Sequence, residues 1–253
     1  MKKQVPGKAI IYDDNCPLCT AYTAAFVKGG LLKKENRISF SNVNMQQFKI
    51  DWNRAKHEIP VIDLDSGQVK YGVDALTEIL QQKFPFILKL IRVKCLSWFF
   101  RKLYKLISYN RKIIVASNNK NKPAFDCTPD YSFLWRWILI ITCYSIANVF
   151  ITTSAWLIFR SYAIHLSPLV VINWMLIPVL LSFFASWKLA TEIHAHVAIT
   201  AVITGFLLLT ASCCLLFFQN IFLLFYAMLL LILLVTLKQL VRRATFIYNM
   251  MHR

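Results

Sequence analysis

Two cysteines three positions apart, Cys16 and Cys19, are the residues of this 253-residue chain best suited to do chemistry. They stand in Tyr12-Asp13-Asp14-Asn15-Cys16-Pro17-Leu18-Cys19, where a short apolar run, residues 8–12, turns into a helical pattern. Pro17 suits the first position of a helix, because its missing N–H removes no intrahelical bond, so Cys16 falls at the N-cap. Unpaired backbone N–H groups and the positive end of the helix dipole favour thiolate over thiol there. The pKa of Cys16 should therefore fall below the ordinary cysteine value of about 8.5. Cys19 lies one turn further along on the same face, close enough to attack a mixed disulfide at Cys16. The pair is suited to thiol–disulfide exchange, with Cys16 as nucleophile and Cys19 as resolving thiol, and such exchange needs no dissociable cofactor.

Two plainer readings compete. A C-x-x-C can be half of a zinc site, but tetrahedral zinc needs two more Cys or His ligands, usually closely spaced. Before the apolar half of the chain there is only His57, and Cys95 and Cys127 stand alone. No metal site is therefore expected. Two cysteines could also be chance core residues, a reading weakened by the strand, turn and proline around them. Asp13 and Asp14 allow two roles as well. They could accept the proton that Cys19 must lose, or, as the favoured reading, serve as N-terminal charges that complement the dipole.

The elements that must position this pair follow from residue pattern. A helix runs from Pro17 to about Lys28 and stops at Gly29-Gly30; residues 38–43 read as a second strand and residues 46–56 as a weak helix or loop. Residues 59–64, a turn at Asp65-Ser66-Gly67 and residues 68–71 form a hairpin. Val73, Leu76, Ile79, Leu80 and Phe84 then recur at helical spacing before Pro85. Strand, helix, strand, hairpin, helix, with a right-handed crossover between the first two strands, is the minimal thioredoxin-like α/β layout.

The Asp13-to-Cys19 opening, the hairpin followed by Gly72-Val73-Asp74-Ala75-Leu76, and the later Leu103-Tyr104 to Asn110-Arg111 resemble the DCC family of thiol-disulfide oxidoreductases. The resemblance covers about residues 8 to 115 and implies a redox role for Cys16 and Cys19, with a protein or small-molecule thiol or disulfide as substrate. Asp14 stands where the family pattern has glycine, and its carboxylate should oppose thiolate formation at Cys16. In thioredoxin folds a cis-proline before the third strand offers backbone groups to an extended substrate. Ile59-Pro60 occupies that place, so both are candidate substrate-binding residues, the alternative being a trans proline that begins an edge strand.

Beyond about residue 130 the chain becomes almost wholly apolar. Residues 137–159, 166–187, 197–218 and 221–237 carry no Lys, Arg, Asp or Glu, and a bilayer core takes about 20 residues of helix. Four membrane spans are expected, with Gln219-Asn220 turning the chain between the last two. Lys188, Lys238, Arg242, Arg243 and Arg253 fall on the side of the N-terminal domain and only Arg160 on the other, which predicts cytoplasmic N- and C-termini in a multi-pass protein of the cell (inner) membrane. Residues 1–85 form the dithiol domain, 86–116 a basic amphipathic helical extension, 117–132 a linker and 133–253 the membrane domain. No signal-peptide core forms after Met1-Lys2-Lys3.

A net charge of +17 suggests nucleic acid at first sight. A bilayer accounts for it better, because a basic face tethered beside anionic lipid is drawn to that surface. Lys89, Arg92, Lys94, Arg101, Lys102, Lys105, Arg111 and Lys112 alternate with Leu90, Trp98, Phe99, Leu103, Tyr104 and Ile107, as in a helix lying on the inner leaflet, or in one packed on the dithiol domain. Cys143, Cys213 and Cys214 read as small apolar filler. His194 and His196, with Glu192 and Lys188, read as an interfacial loop. A non-enzymatic redox sensor or interaction protein, and a dithiol-gated electron carrier or transporter, remain the alternative functions; oligomeric state is not legible.

Overall fold

The computed structural model describes residues 7–43, 48–116, 129–162, 187–217 and 222–251. The chain divides into two compact units, Met1–Ser132 and Phe133–Arg253.

The first unit is built on a four-stranded mixed sheet of order β2-β1-β3-β4, with β1 Lys8–Tyr12, β2 Arg37–Ser39, β3 Pro60–Asp63 and β4 Val69–Tyr71. β1 pairs parallel with β2 and antiparallel with β3, and β3 pairs antiparallel with β4. Ala9, Ile10, Ile11 and Tyr12 are all buried, because β1 is covered on both faces. Ile10 and Tyr12 face a cluster that holds Cys16 and Cys19, whereas Ile11 faces Phe40, Ile50 and Ile62 on the other side. Strand buried on both faces reads as a continuous apolar run, as residues 9–12 do. The second strand is shorter than its apolar pattern, since Asn42 N–H bonds back to Ser39 C=O at 3.1 Å and turns the chain.

Between β1 and β2 runs α1, Pro17–Lys28. Its end is a Schellman motif: Gly30 N–H donates to Val27 C=O (3.0 Å) and Leu31 N–H to Phe26 C=O (2.9 Å), with Gly30 at φ 69°. A side chain at that φ is strained. Gly30→Ala is expected to lower the stability of the first unit by about 1 kcal/mol, read as a lower apparent Tm, with Gly29→Ala as a comparison because Gly29 sits at an ordinary φ of −73°.

A short helix α2, Trp52–Ala55, follows β2, and α3, Gly72–Leu80, follows the hairpin. α4, Phe86–Arg92, and α5, Lys94–Val115, come next. The strand, helix, strand, hairpin, helix order read from the sequence is present. Pro60, however, has a trans peptide bond and begins a strand flanked by β1 and β4, so it is neither cis nor on an edge. The first position of a strand tolerates it there.

The second unit consists, among the described residues, of α6 Phe133–Tyr162, α7 Trp187–Phe217 and α8 Phe222–Met251. Phe133–Leu157 (mean hydropathy 1.7) and Lys188–Cys214 (2.2) are long and apolar enough to cross a membrane. The second apolar run of the sequence, 166–187, lies almost wholly outside the described residues, as does the Gln219-Asn220 turn. Residues 188–196 are helical, which corrects the loop expected there: helix α7 begins before them and buries Glu192, His194 and His196. Glu192 pairs with Arg136 at 2.9 Å, and Arg243 donates to His196 Nδ1 at 3.0 Å. These pairings supply the polar partners that buried side chains need, so the polar residues can continue a helix.

Candidate dithiol site

The turn Asp13-Asp14-Asn15 converts β1 into α1. Asn15 N–H donates to the Asp13 carboxylate at 3.0 Å, Cys16 N–H to Asp13 C=O at 3.2 Å, and Thr20 N–H to Cys16 C=O at 2.9 Å. Cys16 is the N-cap residue, extended at φ −102° and ψ 110°, with Pro17 opening the helix and no acidic residue in the first turn. Cys19 sits inside that turn, and its C=O accepts from Thr23 Oγ1 at 2.7 Å.

Both cysteines are buried, at 3% and 5% exposure, and they are not equivalent. The Cys19 thiol donates to Cys16, which with the Cys19 backbone N–H and the positive charge of Arg111 outweighs burial and lowers the Cys16 pKa to about 6. The same hydrogen bond, and burial, push the Cys19 pKa far up. The bond biases Cys16 toward the thiolate and holds the proton on Cys19. The Asp14 carboxylate accepts from Ser41 Oγ at 2.6 Å, and the carboxylate of Asp13 opposes ionisation of Cys16.

Asp13 is 4% exposed and forms an ion pair with Arg111 at 2.9 Å. It is therefore a buried counter-ion of α5 as well as an acidic group at the start of α1. Burial raises its pKa, although Arg111 and the Asn15 N–H pull the other way. Arg111, in turn, was expected among the lipid-facing basic residues. Instead Tyr104, Ser108 and Arg111 form one inward stripe of α5: Tyr104 Oη accepts from Ile59 N–H at 2.8 Å, Ser108 Oγ donates to His57 C=O, and Arg111 reaches Asp13. Spacings of four and three mark a single helix face, a signal that was available but was masked by the abundance of positive charge.

A cavity of about 50 Å³ lies beside Cys19, lined among others by Asp13, Tyr22, Ile59, Tyr104 and Arg111. That volume has room for a few waters. Ile59 thus reaches the site, yet its N–H is bonded to Tyr104 and its C=O accepts from Gly72 N–H at 3.0 Å. Its backbone groups are engaged inside the domain, in contrast to the substrate-pairing role expected for Ile59. Gly72, at φ 61°, leaves room for Tyr104, whose ring carbon would lie 3.3 Å from an added Cβ. Among the described residues no three His, Cys, Asp or Glu side chains gather as a metal site.

No match was found among curated proteins or among solved structures. A family comparison does match, over the segment that runs from β1 to the end of α5 and contains the dithiol, Asp13, Tyr104 and Arg111. Residues 10–116 fit the family model described as DCC1-like thiol-disulfide oxidoreductase, and this segment is a DCC1-like domain.

Proposed function

We propose that this protein is a membrane-anchored thiol-disulfide oxidoreductase that acts through Cys16 and Cys19. The observation that carries the reading is the placement of the two thiols: Cys16 is the N-cap residue of α1 and Cys19 lies inside the first turn, where its thiol donates to Cys16, lowering the pKa of Cys16 and raising that of Cys19. A nucleophile ionised at neutral pH next to a protonated resolving thiol is what two-step exchange requires. The Cys16 thiolate attacks one sulfur of a substrate disulfide, forming a mixed disulfide and expelling the other sulfur as a thiolate. Cys19 then loses its proton and attacks Cys16, closing the Cys16–Cys19 disulfide and releasing the second substrate thiolate. Two electrons have passed from the dithiol to the substrate, and a cellular thiol reductant restores the pair. Asp13, in the same cavity as Cys19 and with a raised pKa, is the proposed acceptor of the Cys19 proton.

The two apolar helices support anchoring, and the four-span topology with cytoplasmic termini is the arrangement that best distributes the positive charge. In that compartment thiols are held mainly reduced, so a Cys16–Cys19 disulfide would be transient.

Trapping tests the reaction. Cys19→Ser in the full chain, expressed in its membrane, should accumulate covalent adducts that dithiothreitol dissolves and that Cys16→Ser abolishes. A Cys19→Ser protein that reacts with oxidant but forms no adduct with a partner would replace the enzyme by a sensor.

A further inference from the structure

The helix that closes the dithiol site has a second face. None of the seven residues of α4 is buried, although five of them, Phe86, Ile87, Leu88, Leu90 and Ile91, are apolar. Phe86 is 55% exposed and Val93, at the joint with α5, 50%. In α5 Trp98 and Phe99 are 62% and 51% exposed, with Lys94, Lys102 and Lys105 exposed around them. Lys102 lies over the Trp98 ring at 5.9 Å. At about 100° per residue, Trp98, Phe99 and Lys102 point nearly opposite to Tyr104, Ser108 and Arg111. One side of α5 is committed to the dithiol core, and the other is exposed among the described residues of the first unit.

We propose that the α4–α5 face docks on an anionic bilayer surface. This rests on the membrane anchoring argued above. Charge selects the occupant: from residue 79 to residue 125 the sequence holds no Asp or Glu, and exposed aromatic side chains ringed by Lys and Arg are suited to a lipid interface. A second copy of the chain would set this acid-free basic face against itself. An anionic surface instead attracts each Lys or Arg held near it. The chain also leads from α5 to the apolar helix α6, which keeps a bilayer within reach. Once docked, α5 lies between lipid and dithiol, so Cys16 and Cys19 face the aqueous side. The disulfides they meet are then water-borne rather than lipid-embedded.

Cys95 is exposed in the first turn of α5, beside Trp98 and Phe99, and is a native reporter. The full chain is placed in phosphatidylcholine nanodiscs with or without 30 mol% phosphatidylserine, one copy per disc. Its reaction with a neutral PEG-maleimide is followed at Cys95 by peptide mass spectrometry. Docking should slow labelling about tenfold in the anionic discs. Trp98→Glu/Phe99→Glu, two exposed changes, should restore the rate, and 0.5 M salt should restore part of it. Equal rates in the two lipids would overturn docking, as would slowing that persists in the double variant. Slowing that requires two copies per disc would overturn it in favour of self-association. A chain that fails to enter the discs would overturn docking together with the membrane anchor. The Cys19→Ser trap reads the dithiol chemistry independently of all these outcomes.

Discussion

Replacing Arg111 by methionine is expected to destabilise the dithiol domain by about 3–5 kcal/mol at neutral pH, because it leaves a buried carboxylate without its cation. The side chains of Arg111 and Asp13 are 8% and 4% exposed, so solvent cannot take over the lost interaction. The pH dependence has a definite sign. Asp13 already has a raised pKa in the folded chain, from burial, and Arg111 holds that rise down. With Arg111 gone the folded-state pKa rises further while the unfolded value stays near 3.8. A carboxyl group that binds its proton more tightly when folded favours the folded state below its unfolded pKa, and this advantage is lost as pH rises toward the folded pKa. Arg111→Met should therefore be least damaging in acid and worst above neutrality, the reverse of ordinary acid denaturation. Asp13→Asn/Arg111→Met, which removes both charges, should recover most of the loss. The apparent Tm of the full chain from pH 4 to 8 checks this. A deficit below about 1 kcal/mol at pH 7, the range of an exposed ion pair, would mean that the pair is solvated in solution.

Which parts of this site can be read from the chain depends on whether a signal is local. Cys16, Pro17, Gly29 and Gly30 mark the start and end of α1 through backbone chemistry that operates within one or two turns, and the structure has those boundaries. The apolar run of residues 59–62 and the Asp65-Ser66-Gly67 turn likewise mark the β3–β4 hairpin. Arg111 is different: its charge is plain in the sequence, but whether it faces lipid or the core is decided by where α5 lies against β1. That contact spans 98 positions. Asp13 suffers from the same limit, since its role as a buried counter-ion exists only once α5 has packed. At Pro60 the analogy carried the place in the order correctly but not the engagement of Ile59, whose amide is taken by Tyr104. In the second unit, Glu192 and His196 looked like loop residues because polarity alone was visible, whereas Arg136 and Arg243 allow them to be buried in a helix.

The second large effect concerns the ionisation of Cys16. Its rate of alkylation by a small reagent such as iodoacetamide should rise with pH to a plateau, with its midpoint at about 6, since only the thiolate reacts. Cys19 should stay unmodified over the same range, because burial and the bond to Cys16 keep its proton in place. The dominant cause of the low value is the hydrogen bond from Cys19, and Cys19→Ala removes that donor outright. Helix N-terminus and Arg111 remain, but without the largest contribution the midpoint should move toward the ordinary value of about 8.5. If the shift is complete, the thiolate fraction at pH 7 falls from about 90% to about 3%, roughly a thirtyfold loss of rate. Cys19→Ser retains a hydroxyl that can still donate, so its midpoint should lie between the two, which is also why serine is the substitution suited to trapping. A midpoint near 6 that survives in Cys19→Ala would transfer the stabilisation of the thiolate from Cys19 to the helix and Arg111. Arg111→Met would then be the variant that raises it.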